Sequence, residues 1–416
     1  MTGARGTVCL GGARGSCLIP EFPRFRREAR SIGLALDLPL RPQGKAINVS
    51  GDFIRRRLRA GSFAQVRYVT PIRFAEARGV VADVYRGVEH DFGVLAPPIL
   101  LHAPCPDLLA ASWVMMREAL LASRRASRSV KEAVATAVSV SNTCPFCVTV
   151  HSATLHGLIR GHAAAVAADR PGSVDGSRLQ DVATWAMGAA GTLCAETGGG
   201  AEPLFPPEQT CELVAVATLF HYLNRMVNIF LGSAPLPPRV PGTALRPLAA
   251  LLSSLIRAAA PGVGDPGESL DLLPSAPLPP DMAWALGDDV VAQAFARAAA
   301  AADLAGEASV PPQVQELVRQ LVDASDGLPN AGGRAAVEAA VETLSERERD
   351  VGRLALLTAL ASHQVEESVV GRFRERQGSD AALIEVTAWA SMVAARREAG
   401  RLWAGACPGR CEYRRA

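Results

Sequence analysis

From about residue 71 onward, apolar positions recur at spacings of three and four, the period of helices with one buried face. "IRFAEARGVVADVYRGVEHDFG" starts the pattern. "CPDLLAASWVMMREALLASRR" continues it, with Pro106 placed to open a helix. "RSVKEAVATAVSVSN" is apolar almost all round and predicts a helix buried inside a bundle. "CPFCVTVHSATLHGLIRG" predicts the next helix, closed by Gly161. "SRLQDVATWAMGAAGTLC" and "PPEQTCELVAVATLFHYLNRMVNIFLG" complete a first block, the last helix bounded by Pro206–Pro207 and Gly232. Few aromatic residues (5%) and abundant alanine favour helix over sheet, so the fold class read from the chain is all-α.

The pattern also divides the chain. Residues 1–64 are rich in arginine, glycine and proline without a sustained helical period, and read as a poorly ordered extension. Residues 65–235 form the first helical domain. Residues 236–280 are a proline- and glycine-rich linker, 281–404 a second helical block, and 405–416 a tail. The two blocks share a weak internal repeat. Leu179, Asp181, Val182, Trp185 and Ala186 match Leu383, Glu385, Val386, Trp389 and Ala390. With Val130 on Val351, Ser141 falls on Ser362.

A net charge of +2 gives no electrostatic case for a nucleic-acid partner. No apolar run approaches the roughly 18–20 residues of a membrane span. Nine cysteines in 416 residues are too few for a disulfide scaffold, which points to reduced thiols and a cytoplasmic setting.

The chemistry-bearing residues concentrate around CPFC. Asn142 and Thr143 are capping residue types, and Pro145 suits a first helical turn, so a helix should begin here. Cys144, Cys147 and His151 then share one face, within about 60°. A helix start and a nearby histidine both lower a thiol pKa. Glu132 lies twelve residues before Cys144, on the preceding helix. A reversal near Asn142 would bring its carboxylate back toward His151, where the pair could draw a proton from a thiol. Zinc at Cys144, Cys147 and His151 would want a fourth ligand, and there is no second CxxC. Haem attachment needs histidine where Val148 stands. Inert core cysteines remain an open alternative to redox chemistry. In the second block, the counterparts of Glu132, Cys144, Cys147 and His151 are Arg353, Val365, Ser368 and Arg372, so that block should lack the chemistry. Further along, His221, Tyr222, Asn224 and Arg225 make a polar cluster in an apolar helix, either lining a pocket or interface or satisfying helix packing.

The arrangement E-x11-C-P-F-C-x3-H on a helical frame, with Ser141 and Asn142 before it, resembles the AhpD-like alkylhydroperoxidases of the carboxymuconolactone decarboxylase superfamily. The resemblance covers residues 65–235 well and 281–404 faintly. It implies a helical-bundle peroxidase that reduces hydroperoxides, with Cys147 as the peroxidatic thiol, Cys144 as the resolving one, and Glu132 and His151 as the proton relay. It implies no bound cofactor or metal, but an external dithiol reductant of lipoyl or thioredoxin-like type, and a homo-oligomer unless the duplication meets that need within one chain. Phe146 departs from the pattern, since well-characterised members carry histidine there. Relatives lacking CxxC are decarboxylases, an activity the CPFC motif argues against. The competing function is a redox-sensing or structural helical protein that kept the motif without turnover.

Overall fold

The computed structural model describes residues 51–122, 124–166, 176–188, 205–235, 264–325 and 333–406. The described residues contain helices and no strands. In the first block, α1 is Gly51–Phe63, α2 Gly79–Phe92, α3 Pro106–Met115, α4 Arg128–Ser141, α5 Pro145–Val166, α6 Gly176–Ala186 and α7 Pro207–Phe230. In the second, α8 is Asp289–Ser309, α9 Pro312–Ala324, α10 Gly333–Val341, α11 Arg349–Ala361, α12 Glu367–Arg376 and α13 Asp380–Ala406. The first helix begins earlier than the apolar period suggests, inside the stretch read as an extension. Residues 1–50 and the tail beyond residue 406 lie outside the described residues. Helix α5 runs past Gly161 to Val166, because one glycine weakens a helix without obliging it to stop.

Helix α7 organises the core. Pro206 and Pro207 open it, and its residues from Thr210 to Val227 are buried. It packs on α4 on one side and on α13, from the second block, on the other. Buried apolar residues of both blocks therefore form one continuous cluster. The stretch Glu208–Phe230 is long and apolar enough to cross a membrane, but 94% of its apolar window is buried inside the protein. Such a burden of apolar surface is what a central core helix requires.

The order of helix, turn, helix and following helix recurs in the chain. It runs α4–α5–α6 in the first block and α11–α12–α13 in the second, with Trp185 and Trp389 both fully buried. Arg353, at the register position of Glu132, is held by ion pairs to Glu338 and Asp350 at 2.9 and 3.0 Å. Arg372 lies 3.7 Å from Asp350, Val365 is buried and Ser368 is exposed.

Only residues 264–280 of the proline- and glycine-rich segment are described, and their first part is fastened to the core. A π-helical turn, Met116–Leu121, extends α3 and buries Arg117 and Glu118. Arg117 donates to Asp91 and Glu118, each at 2.7 Å, and to the Asp265 carbonyl and Glu268. Glu118 accepts from the Gly267 backbone N–H at 2.8 Å and the Ser269 hydroxyl at 2.7 Å. A buried charge held from several sides in this way ties two distant segments together.

Candidate active site

The site is built on the reversal between α4 and α5. Helix α4 ends in a Schellman turn: the Cys144 N–H donates to the Ser139 carbonyl at 2.9 Å and the Thr143 N–H to the Val140 carbonyl at 3.0 Å. Thr143 occupies the left-handed position, at φ 52°. A β-branched residue there is strained. Replacing the exposed Thr143 by glycine should raise stability by about 1 kcal/mol, read as a higher urea midpoint with unchanged slope. An unmoved or lower midpoint would show that the turn carries no strain.

Cys144 follows directly and serves as the first boundary residue of α5, its carbonyl accepting from the Val148 N–H at 3.0 Å. Asn142 and Thr143, read from the sequence as caps for α5, instead close α4. Pro145 opens α5, which puts Cys147 within its first turn. Both cysteines are free thiols and both are buried, at 1% and 3% exposure. Among the described residues, no group of three or more His, Cys, Asp or Glu side chains is arranged to hold a metal ion.

The reversal brings Glu132 back to His151. His151 Nδ1 donates to Glu132 Oε2 at 2.7 Å, and Arg128 Nε donates to Glu132 Oε1 at 2.8 Å. Glu132 is fully buried and His151 nearly so, with the Phe220 ring packed edge-on at 4.5 Å. Burial by itself would raise the Glu132 pKa; Arg128 and His151 outweigh it and hold the carboxyl below its usual range. An ionised Glu132 fixes the proton of His151 on Nδ1 and leaves Nε2 as an acceptor.

The Cys147 thiol differs from the expectation of an acidified group. Burial, and next its contact with Cys144, push its pKa well above the ordinary value; a hydrogen bond from Asn224 pulls the other way. The helix start also favours the thiolate, but a sulfur sealed from water pays the larger desolvation cost.

Asn224 belongs to the polar cluster noticed in the sequence, which divides in space. Asn224, His221 and Arg225 converge on the CPFC turn. Asn142 Nδ2 donates to Asn224 Oδ1 at 3.0 Å, Asn224 Nδ2 donates to Ser139 Oγ at 3.1 Å, and Arg225 Nη1 reaches Asn142 Oδ1 at 3.4 Å. Asn228 Nδ2 donates both to the Asn142 carbonyl and to Ser362 Oγ of the second block, each at 3.0 Å. Arg225 Nε donates to the Ala359 carbonyl at 3.0 Å. The second block thus buttresses the turn that carries Cys144. Arg128 and Asn228 were missed in the sequence. Arg128 is legible as an Arg–Glu pair four apart on one helix, whereas nothing local marks Asn228.

Tyr222 points elsewhere, donating its hydroxyl to His102 Nε2 at 2.9 Å. Burial lowers the His102 pKa to about 4, and burial with Arg225 and Arg401 lowers that of His221 well below its ordinary value. The unfolded chain titrates these histidines near 6.5, so between that pH and their folded values it binds more protons. Their contribution is therefore complete above about pH 6.5 and lost as pH falls. His102 alone should cost roughly 3 kcal/mol by pH 4, at about 1.4 kcal/mol per pH unit. Urea titrations from pH 7 to 4.5 should show the decline, and His102→Gln should flatten it. An equal slope in that variant would remove His102 as a cause.

Comparison with known proteins places the chain in a known class. A family model described as the carboxymuconolactone decarboxylase family matches residues 107–158, from α3 into α5, and the chain belongs to that family. A particular relative, the protein named alkyl hydroperoxide reductase from Mycobacterium tuberculosis, is 34% identical over 335 residues, 80% of this chain and 93% of the relative. A match of that length extends beyond either helical block alone. No solved structure matches the chain.

Proposed function

We propose that this protein is a thiol-dependent peroxidase that reduces organic hydroperoxides through Cys147 and Cys144. The observation that carries the reading is the buried Glu132–His151 pair, 2.7 Å apart, one helical turn beyond Cys147. The relative's name supports the same class of reaction. A thiol whose ionisation burial opposes needs a base, and the free Nε2 of His151 is that base.

In the proposed cycle His151 takes the Cys147 proton. The thiolate attacks one peroxide oxygen, the O–O bond breaks, and the leaving alkoxide recovers the proton from His151 as an alcohol. Cys147 is left as a sulfenic acid. Cys144 attacks that sulfur, water leaves, and a disulfide forms. An external dithiol of lipoyl or thioredoxin-like type exchanges with the disulfide and restores both thiols. Cys147 is assigned the attack because it lies four residues from His151, one helical turn, against seven for Cys144.

Stopped-flow mixing with cumene hydroperoxide and dihydrolipoamide tests the reading. Cys147→Ser should abolish peroxide loss, and Cys144→Ser should stop after one turnover at a sulfenic acid that dimedone traps. One observation favours a second reading, a redox-responsive protein without turnover: both sulfurs are almost inaccessible. A wild-type disulfide that forms and is reduced without consuming peroxide would establish that alternative.

A further inference from the structure

We propose that Asn228 is a positioning residue of this thiol pair: by holding the Asn142 carbonyl it fixes the turn before α5 and places Cys144 for disulfide formation with Cys147. The proposal rests on reading Cys144 and Cys147 as a redox pair. In that step Cys144 gives up its proton and attacks the Cys147 sulfenic acid; the S–S bond forms, the S–O bond breaks, and the oxygen leaves as water. Cys147 lies inside the first turn of α5, so that helix sets its backbone. Cys144 lies just outside, joined to α4 by its N–H and to α5 by its carbonyl. Its placement relative to Cys147 therefore depends on the turn.

The turn is gripped from α7 at one residue. His221, Asn224, Arg225 and Asn228 are spaced three and four apart and share one face of that helix. All four meet Asn142, two residues before Cys144. Arg225 can only donate, which sets the Asn142 side-chain oxygen toward its Nη1 at 3.4 Å. The Asn142 NH2 then has an acceptor for each hydrogen, Asn224 Oδ1 at 3.0 Å and His221 Nδ1 at 3.2 Å. The Asn142 N–H is bonded within α4, to the Val138 carbonyl at 2.9 Å. Asn228 takes the remaining group: its Nδ2 donates one hydrogen to the Asn142 carbonyl and the other to Ser362 Oγ, each at 3.0 Å.

A satisfied buried polar network holds one geometry, which apolar packing alone specifies less sharply. A geometry needs holding here. The Asn142 carbonyl belongs to the peptide that sets the Thr143 φ, and Thr143 stands in the left-handed region at 52°. Released from Asn228, that peptide can turn and let Thr143 relax, and Cys144 moves with it. Holding the turn keeps the Cys144 thiol at a high effective concentration beside Cys147. Asn228 and Arg225 are also fastened to the second block, at Ser362 Oγ and the Ala359 carbonyl. The second block, with no thiol at the register positions of Cys144 and Cys147, thereby acts on the disulfide step of the first.

The experiment equilibrates the full chain in mixtures of reduced and oxidised dithiothreitol and reads the fraction of Cys144–Cys147 peptide protected from N-ethylmaleimide. Asn228→Ala should weaken the disulfide about tenfold, the worth of one net hydrogen bond, which raises its reduction potential by about 30 mV. After a pulse of cumene hydroperoxide, dimedone should trap more Cys147 sulfenic acid in this variant than in the wild type. Asn228→Leu keeps the volume without the donors. It should give the same shift, and serves if the alanine variant fails to fold. Ser362→Ala removes only the arm to the second block and should weaken the disulfide about two- to threefold. Tyr222→Phe deletes a hydrogen bond from another face of the same helix, to His102, and should leave the equilibrium in place. An unmoved equilibrium in a folded Asn228 variant overturns the proposal. An equal shift in Tyr222→Phe also overturns it, since general loosening of α7 would then explain the effect. An unmoved equilibrium in Ser362→Ala overturns the second block's part. If Asn228→Ala shifts the equilibrium but the wild-type protein consumes no peroxide, the positioning role stands and the peroxidase reading fails.

Discussion

Replacing Glu132 by glutamine is expected to lower peroxide turnover about a hundred- to a thousandfold, within the range that general acid–base catalysis supplies. The argument turns on a tautomer. Arg128 Nε donates to one oxygen of Glu132, and it can donate only to an acceptor. The glutamine oxygen must therefore face Arg128, and its NH2 must face His151. Nδ1 of His151, which donates to the carboxylate in the native protein, then has to accept. The ring proton moves to Nε2, and the base that would draw the Cys147 proton is lost while the fold and both cysteines remain. Stopped-flow rates with cumene hydroperoxide, paired with melting curves, check this. A Glu132→Gln protein that is folded and retains a third of the wild-type rate would remove the relay from the mechanism.

Replacing Arg117 by methionine should cost about 3–5 kcal/mol, a large part of the 5–15 kcal/mol that holds a typical protein folded. Arg117 is 3% exposed and neutralises Asp91 and Glu118, of which Glu118 is fully buried. Without the guanidinium, Glu118 keeps its hydrogen bonds to Gly267 and Ser269 but no cation partner, and Asp91 is left beside it. Glu268, largely exposed, contributes little. The loss should appear in urea denaturation and as faster proteolysis at residues 264–273, which Glu118 and Arg117 fasten. Converting Glu118 to leucine as well should recover part of the stability, because the penalty comes from an uncompensated charge. A single variant costing under about 1 kcal/mol would show that the network is not needed.

Part of this was legible along the chain. The spacing of apolar residues placed helices α2–α7 and the second block, because a helix reports its buried face locally at every turn. The pairing of Glu132 with His151 was legible as well, since the two lie on neighbouring helices joined by a short reversal. The helical start at residue 51 was not, because a short arginine-rich helix offers few apolar positions to read and depends on the surface it packs against. The roles of Asn142 and Thr143 were misplaced for a related reason: the same residue types end one helix and begin another, and only backbone hydrogen bonds distinguish the two.

Residue identity and order were enough to set the helical class and to bring Glu132 back toward His151, because these depend on neighbours a few turns apart. Three-dimensional packing settled what depends on residues far apart in sequence: that burial raises rather than lowers the Cys147 thiol, that Asn224 and Arg225 from α7 meet Asn142 at the reversal, and that Ser362 and Ala359 brace the turn from the second block. The physical reason is that desolvation and hydrogen-bond partners belong to the whole fold, and a local motif carries no information about what will cover it.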